Sequence, residues 1–280
     1  MRRPQRILLA TDLSARSDRA TDRAALLMNE WSCPLVVVHV LDPSVVTTLS
    51  ERELAARARR DLCEQLRDAG EEVAIRIERG EPADAIRRVA REERCSLIVT
   101  GVARNESLGR VKVGDTVEGV IRGLEIPLLV VTHRPRLPYR RITVAVDFGD
   151  VSRDALIAAA AMFPEATLIV FHAHDAPGSW AADNLEKHRA AFSSAAHREV
   201  REFLAKTPLS ATERSRLVIE VQFGDPAKQL AAWTEAREIE LVVVGTRGRG
   251  RLGELFLGSV AKRVLAELSC DVLVVPPTSS

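Results

Sequence analysis

Residues 241–261 read LVVVGTRGRGRLGELFLGSVA. The run 241–244 is wholly apolar and stops at Gly245, the pattern of a buried strand, and a helical pattern resumes at Ser259 with Val260, Val264, Leu265 and Leu268 on one face. Strand, glycine-rich loop and helix together suit an anion. Gly245, Gly248, Gly250, Gly253 and Gly258 permit positive φ and close backbone approach, while Ser259 sits where its hydroxyl and the first free helix N–H groups point outward. Arg247, Arg249 and Arg251 raise the local positive potential, and the partial charge of the helix start adds to it. The expected guest is a phosphate chain.

Two phosphate motifs fit by letter and fail in context. Gly248, Gly250 and Gly253 have dinucleotide-fingerprint spacing, but that fingerprint belongs in the first strand-helix turn of a domain, and here it follows the fourth strand. Residues 253–259 have the glycine spacing of a P-loop without the lysine that reaches the phosphates.

The rest of the chain supplies the context. Residues 7–10 form a short apolar strand ending at Thr11-Asp12, followed by a helix over about 15–31, a strand at 35–40, and a helix opened by the Ser50/Glu53 capping box and closed at Gly70. Strand 73–78, a helix starting at Pro82, strand 96–100, a short helix from near Asp115 and strand 127–131 complete a β-α-β-α-β-α-β-α-β order. That order implies a parallel sheet with helices on both faces. Residues 133–141, rich in Pro and Arg, read as a linker.

The second half repeats the first. ILLATD (7–12) answers ITVAVD (142–147), ERGEPADAI (78–86) answers QFGDPAKQL (222–230), and LIVTG (97–101) aligns with 241–245. From Gly80 onward the offset is a constant 144 residues, so one domain is duplicated, with halves expected at 1–134 and 135–280.

Composition sets the bounds. A chain of 280 residues with 46% hydrophobic and 28% charged residues is long enough for two globular domains, and a net charge of +1 offers no reason to expect nucleic acid or an acidic membrane as partner. Neither a signal-peptide core nor a run of membrane-spanning length is present, and Cys33, Cys63, Cys95 and Cys270 are too scattered for a zinc or disulfide framework. A cytoplasmic protein with reduced thiols is expected. His172 and His174 share one face of a strand end without a third ligand at suitable spacing, so no metal site is expected, and no catalytic constellation can be placed.

The spacing Gly245, Gly248, Gly258, Ser259 (G-x2-G-x9-G-S), together with the duplication, resembles the universal stress protein family in its ATP-binding, tandem form. The resemblance implies an α/β fold: two tandem five-stranded parallel-sheet domains, Rossmann-like and adenine nucleotide alpha hydrolase-like, paired as an intrachain pseudo-dimer. It also implies ATP, ADP or AMP, with or without Mg, in the C-terminal half. Ala145, Val146, Asp147 and Ala173 would surround the adenosine, with Asp147 accepting from ribose or base. Gly245 and Gly248 would approach ribose and phosphates, Gly258, Ser259 and Val260 would hold the terminal phosphates, and Arg249 would be the charged contact. In the N-terminal copy Arg104 replaces the second glycine and Asp115 replaces the serine, where it can cap its helix and would repel phosphate. The expectation is one nucleotide per chain, in a stress-response module with an unidentified protein partner and a homodimer left open. A slow ATP hydrolase and a nucleotide-free scaffold are the alternatives.

Overall fold

The computed structural model describes residues 4–41, 50–66, 73–102, 114–174, 185–246 and 258–278, and the side chains of all of these except 174 and 185–193. The chain forms two compact units that meet in sequence at Pro138 and Tyr139.

The N-terminal unit runs β1 (Ile7–Ala10), α1 (Asp18–Trp31), β2 (Leu35–Leu41), α2 (Glu51–Gln65), β3 (Val73–Arg79), α3 (Pro82–Glu92), β4 (Leu97–Gly101), α4 (Asp115–Arg122) and β5 (Leu128–Val131). The C-terminal unit runs β6 (Arg141–Ala145), α5 (Asp150–Met162), β7 (Thr167–His174), α6 (Leu185–Lys206), α7 (Ala211–Ser215), β8 (Leu217–Phe223), α8 (Pro226–Ala236), β9 (Leu241–Gly245), α9 (Ser259–Glu267) and β10 (Asp271–Val275). Strand order is β3-β2-β1-β4-β5 in the first and β8-β7-β6-β9-β10 in the second, with the strands parallel within each unit. The expected α/β architecture, two five-stranded Rossmann-like sheets in tandem, is what forms.

The physical reason lies in the strand sequences. Ile7, Leu8, Leu9, Leu241, Val242 and Val243 are wholly buried, as continuous apolar runs must be when helices cover both faces of a sheet. Right-handed crossovers run outward from β1 to β3 and then reverse to β4 and β5, which sends α1 and α2 to one face and α3 and α4 to the other. Accordingly α3 packs on α4, and in the second unit α8 packs on α9.

The duplication extends to backbone detail. Leu13 and Phe148 have φ of 62° and 66°, Arg94 and Glu238 have 52° and 50°, and Gly80 and Gly224 have 112° and 130°. Each pair occupies the same place in its unit.

Three sequence expectations need correction. Helix α1 begins at Asp18 and not near Ala15, because Ser17 takes the N-cap position. Gly70, expected to close α2, lies outside the described residues; the helix ends at Gln65 with Leu66 as its C-cap. The stretch read as linker is anchored at its end: Tyr139 is buried, its hydroxyl donates to the buried carboxylate of Asp271 at 2.5 Å, and Arg141 already belongs to β6. A single tyrosine among prolines and arginines carries no periodic signal, so pattern reading passes over it.

Candidate functional site

In an open parallel sheet, ligands bind beyond the carboxyl ends of the strands where strand order reverses. In the C-terminal unit that point lies between β6 and β9. Here the two units differ. Pairing of β1 with β4 continues to Ala10 and Thr100, whereas pairing of β6 with β9 stops one step earlier, at Val144 and Val243. The C-terminal strands therefore part sooner, and a cleft of about 250 Å³ opens at their ends.

The cleft brings together most of the residues singled out from sequence. Ala145, Val146 and Asp147 leave the end of β6, Ala173 lies on β7, Gly245 ends β9, and Gly258, Ser259 and Val260 begin α9; all of them line the cleft. Gly248 and Arg249, together with Arg247 and Arg251, lie outside the described residues. Ser152, Phe171, His172, Pro226, Leu230, Val244 and Ala261, which the sequence reading did not assign to the site, complete the lining. Pro226 was legible as the counterpart of Pro82, the first residue of a helix in each copy, but nothing local places it beside a strand more than 50 positions away.

Gly245 and Gly258 each also have a structural reason to be glycine or to hold their place. Gly258 has φ −58°, so no positive φ is needed there. It is the N-cap of α9 with no side-chain cap, and its N–H donates to the Thr246 carbonyl at 2.8 Å, tying together the two ends of the loop between them. At Gly245 the constraint is packing. An added Cβ would lie 2.8 Å from Val151 Cγ1 and 3.2 Å from the Val151 backbone, so α5 can approach β9 only over a glycine. Its counterpart Gly101 has room, with the nearest atom at 3.5 Å.

Helix α9 starts at Ser259, so the first-turn N–H groups have no intrahelical acceptor and carry the positive end of the helix dipole toward the cleft. Val260 is 39% exposed and lines the cleft; it does not share the buried face of Ala261, Val264 and Leu265, as the sequence pattern suggested. The hydroxyl of Thr246, at the root of the loop, is buried without a hydrogen-bond partner among the described residues.

The opposite wall is set by a strained turn. Phe148 holds φ 66°, which costs a non-glycine residue about 1–2 kcal/mol. Its ring packs on His172 at 4.3 Å and on Phe203 at 5.8 Å, contacts that offset the strain. His172 Nδ1 lies 2.9 Å from the Val146 carbonyl. A carbonyl only accepts, so Nδ1 carries the proton, and in the neutral ring Nε2 is left as an acceptor. His39 makes the same bond to Thr11 O at 2.9 Å, in keeping with a structural histidine. Asp147 Oδ1 accepts from Gly149 N–H at 3.0 Å and closes a local turn while its residue faces the cleft.

The N-terminal copy uses the same carboxylate differently. Asp12 Oδ1 accepts from Ser14 N–H at 2.9 Å, Ser14 Oγ at 2.7 Å and Ser17 Oγ at 2.5 Å. Burial pushes its carboxyl up, but the bonds from Ser17 and Ser14 outweigh that and hold it below the usual range. Ser17 gives up capping its own helix to do so. Asp115, expected to cap α4, does not; Gly114 is the N-cap and Asp115 is an exposed first-turn residue acting through its charge. Arg104 lies outside the described residues.

Among the described residues no helix is long and apolar enough to cross a membrane. Cys33, Cys63, Cys95 and Cys270 form no disulfide. Burial pushes the Cys95 and Cys270 thiols up to about 12, so neither is a nucleophile at neutral pH.

Residues 4–132 and again 138–276 match the profile of the universal stress protein family. A universal stress protein of Mycolicibacterium smegmatis is 27% identical over 306 residues, covering 97% of each chain. One from Methanocaldococcus jannaschii is 30% identical over 148 residues, 49% of this chain and 82% of that protein. Among solved structures, a universal stress protein described as putative from Pseudomonas aeruginosa superimposes with a TM-score of 0.73 at 20% identity, over 98% of this chain and 94% of the other.

Proposed function

The chain belongs to the universal stress protein family, and from that premise we propose that its C-terminal unit binds ATP or another adenine nucleotide and acts as a stress-response regulatory module. The observation that carries the reading is the cleft at the β6/β9 reversal, where apolar walls, a carboxylate and an uncapped helix start converge.

The residues fit such a guest. Val146, Phe171, Pro226 and Leu230 offer apolar walls for a base, and Asp147 can accept from a ribose or base donor. The N–H groups at the start of α9, with the Ser259 hydroxyl, suit the terminal phosphates. The orphaned Thr246 hydroxyl at the root of the loop is a further donor with no described partner to satisfy. Gly248 and Arg249 complete the proposed set from the loop. A bound nucleotide supplies phosphate charge, with or without Mg; the protein's part is to hold it and differ in shape or partner contact between nucleotide states. A cytoplasmic setting and a protein partner belong to the same proposal.

Calorimetric titration with ATP, ADP and AMP tests it. Saturable binding is expected, weakened about tenfold or more in Ser259→Asp, which puts a carboxylate at the phosphate end. Phosphate release is measured in parallel: turnover well above background would favour the hydrolase reading. Absence of binding by all three nucleotides would leave the scaffold reading in place.

A further inference from the structure

A second hollow lies in the N-terminal unit, also about 250 Å³, at the end of the sheet opposite the carboxyl ends of its strands. Its floor is apolar: Ala90 from α3, Cys95, Ile98 from β4 and Leu124, all buried. Its rim is basic. Arg87, Arg91 and Arg94 surround it, with Glu125 the acidic group among its lining residues.

The three arginines are not equivalent. Arg87 donates to the Gly119 carbonyl and pairs with Asp84, so it is committed to the fold. Arg91 pairs with Glu125 at 3.3 Å, which occupies the one carboxylate at the rim. Arg94 is exposed and makes no ion pair among the described residues. Gly123 keeps the mouth open: a Cβ there would come within 2.9 Å of the Arg87 guanidinium.

The duplication supplies an internal control. At the 144-residue offset, Arg87, Arg91 and Arg94 become Ala231, Glu235 and Glu238, and Gly123 becomes Glu267. The same place in the C-terminal copy therefore carries acidic residues in place of two arginines and a side chain where Gly123 has none, so a basic hollow is not something the fold requires.

We propose that this hollow binds a small apolar carboxylate, with the hydrocarbon on the Ala90–Ile98–Leu124 floor and the acid group on Arg94. A short apolar floor beneath a single open guanidinium suits a compact guest with one acid group, such as an aromatic acid. An anion replaces water on an open guanidinium without leaving a buried charge unpaired, which is the favourable case for a planar bidentate contact. The raised Cys95 thiol makes the floor inert, so the site binds and does not react. It shares no lining residue with the cleft of the C-terminal unit.

The test is saturation-transfer NMR on the full chain with benzoate, benzyl alcohol and benzylamine as probes, together with methyl shifts of Leu124. Saturable benzoate binding is expected, about tenfold or more tighter than either analogue and lost by a similar factor in Arg94→Glu. Gly123→Glu, whose Cβ meets the Arg87 side chain before any backbone atom, is expected to abolish the Leu124 shifts. Both variants copy residues that the second unit already carries, and Glu238 has nearly the backbone angle of Arg94. Unfolding curves matching the parent confirm that they fold. No saturable binding up to about 10 mM, equal binding of benzoate and benzyl alcohol, or benzoate binding unchanged in both variants would overturn the proposal.

Discussion

Asp12 and Asp147 each follow the first strand of their unit, and each is followed by a residue with φ above 60°. In the first copy two serines converge on the carboxylate and hold it in its own turn. In the second, Gly149 stands at the counterpart of Ser14, and Ser152, the counterpart of Ser17, donates to the Gly149 carbonyl at 2.9 Å. One copy spends its carboxylate on the fold, while the other sets it in the wall of a cleft that the earlier parting of β6 and β9 opens. Duplication leaves the backbone in place and lets equivalent side chains take different partners.

The largest stability difference between the copies is expected at a pair that only one of them has. Tyr139→Phe removes a donor from Asp271, which is 2% exposed, and is expected to cost about 3 kcal/mol, because a buried charged acceptor loses a partner. The corresponding positions in the first unit are Pro4 and Pro127, where no such bond exists. Urea unfolding should show the loss in the C-terminal transition; an unchanged midpoint there would count against this anchor.

The glycines ending β4 and β9 offer the next contrast. Gly245→Ala is expected to cost about 2 kcal/mol, since α5 must retreat from a Cβ that meets backbone. Gly101→Ala should stay within about 0.5 kcal/mol. Equal costs in the same assay would mean that the closer packing in the second unit has no energetic consequence.

The serine clamp on Asp12 gives the smallest effect and a pH signature. Ser17→Ala is expected to cost about 1 kcal/mol at neutral pH, and Ser152→Ala about half of that. The Asp12 carboxyl titrates below its unfolded value, so its contribution is present above the unfolded pKa and is lost as pH falls through the folded one. Removing Ser17 raises the folded value, and the acid dependence of stability should become shallower. An NMR titration of Asp12 that does not move upward in Ser17→Ala would contradict the clamp.

Much of this was legible in the chain. Repeated apolar runs and the 144-residue offset gave both sheets, and the glycine-serine spacing pointed to the cleft residues around Gly245 and Ser259. The hidden features were those that depend on contacts between distant segments. Gly245 is glycine because of Val151, about ninety positions earlier, and Tyr139 matters because of Asp271. Ser17 and Ser152 hold the same place in the repeat but turn their hydroxyls to different acceptors. Arg87, Arg91 and Arg94 carry no site signal in the chain by themselves, since Gly123 and Leu124, which complete the hollow, lie a strand and a helix further on.

On the proposed function, only the second copy keeps a working nucleotide seat. That is tested most directly by the nucleotide released on heating the purified chain, compared with a Gly248→Arg, Ser259→Asp variant that gives the second loop the residues of the first. About one adenine nucleotide per chain is expected from the parent and none from the variant. Equal release from both, or an empty parent that takes up no added ATP, would contradict it.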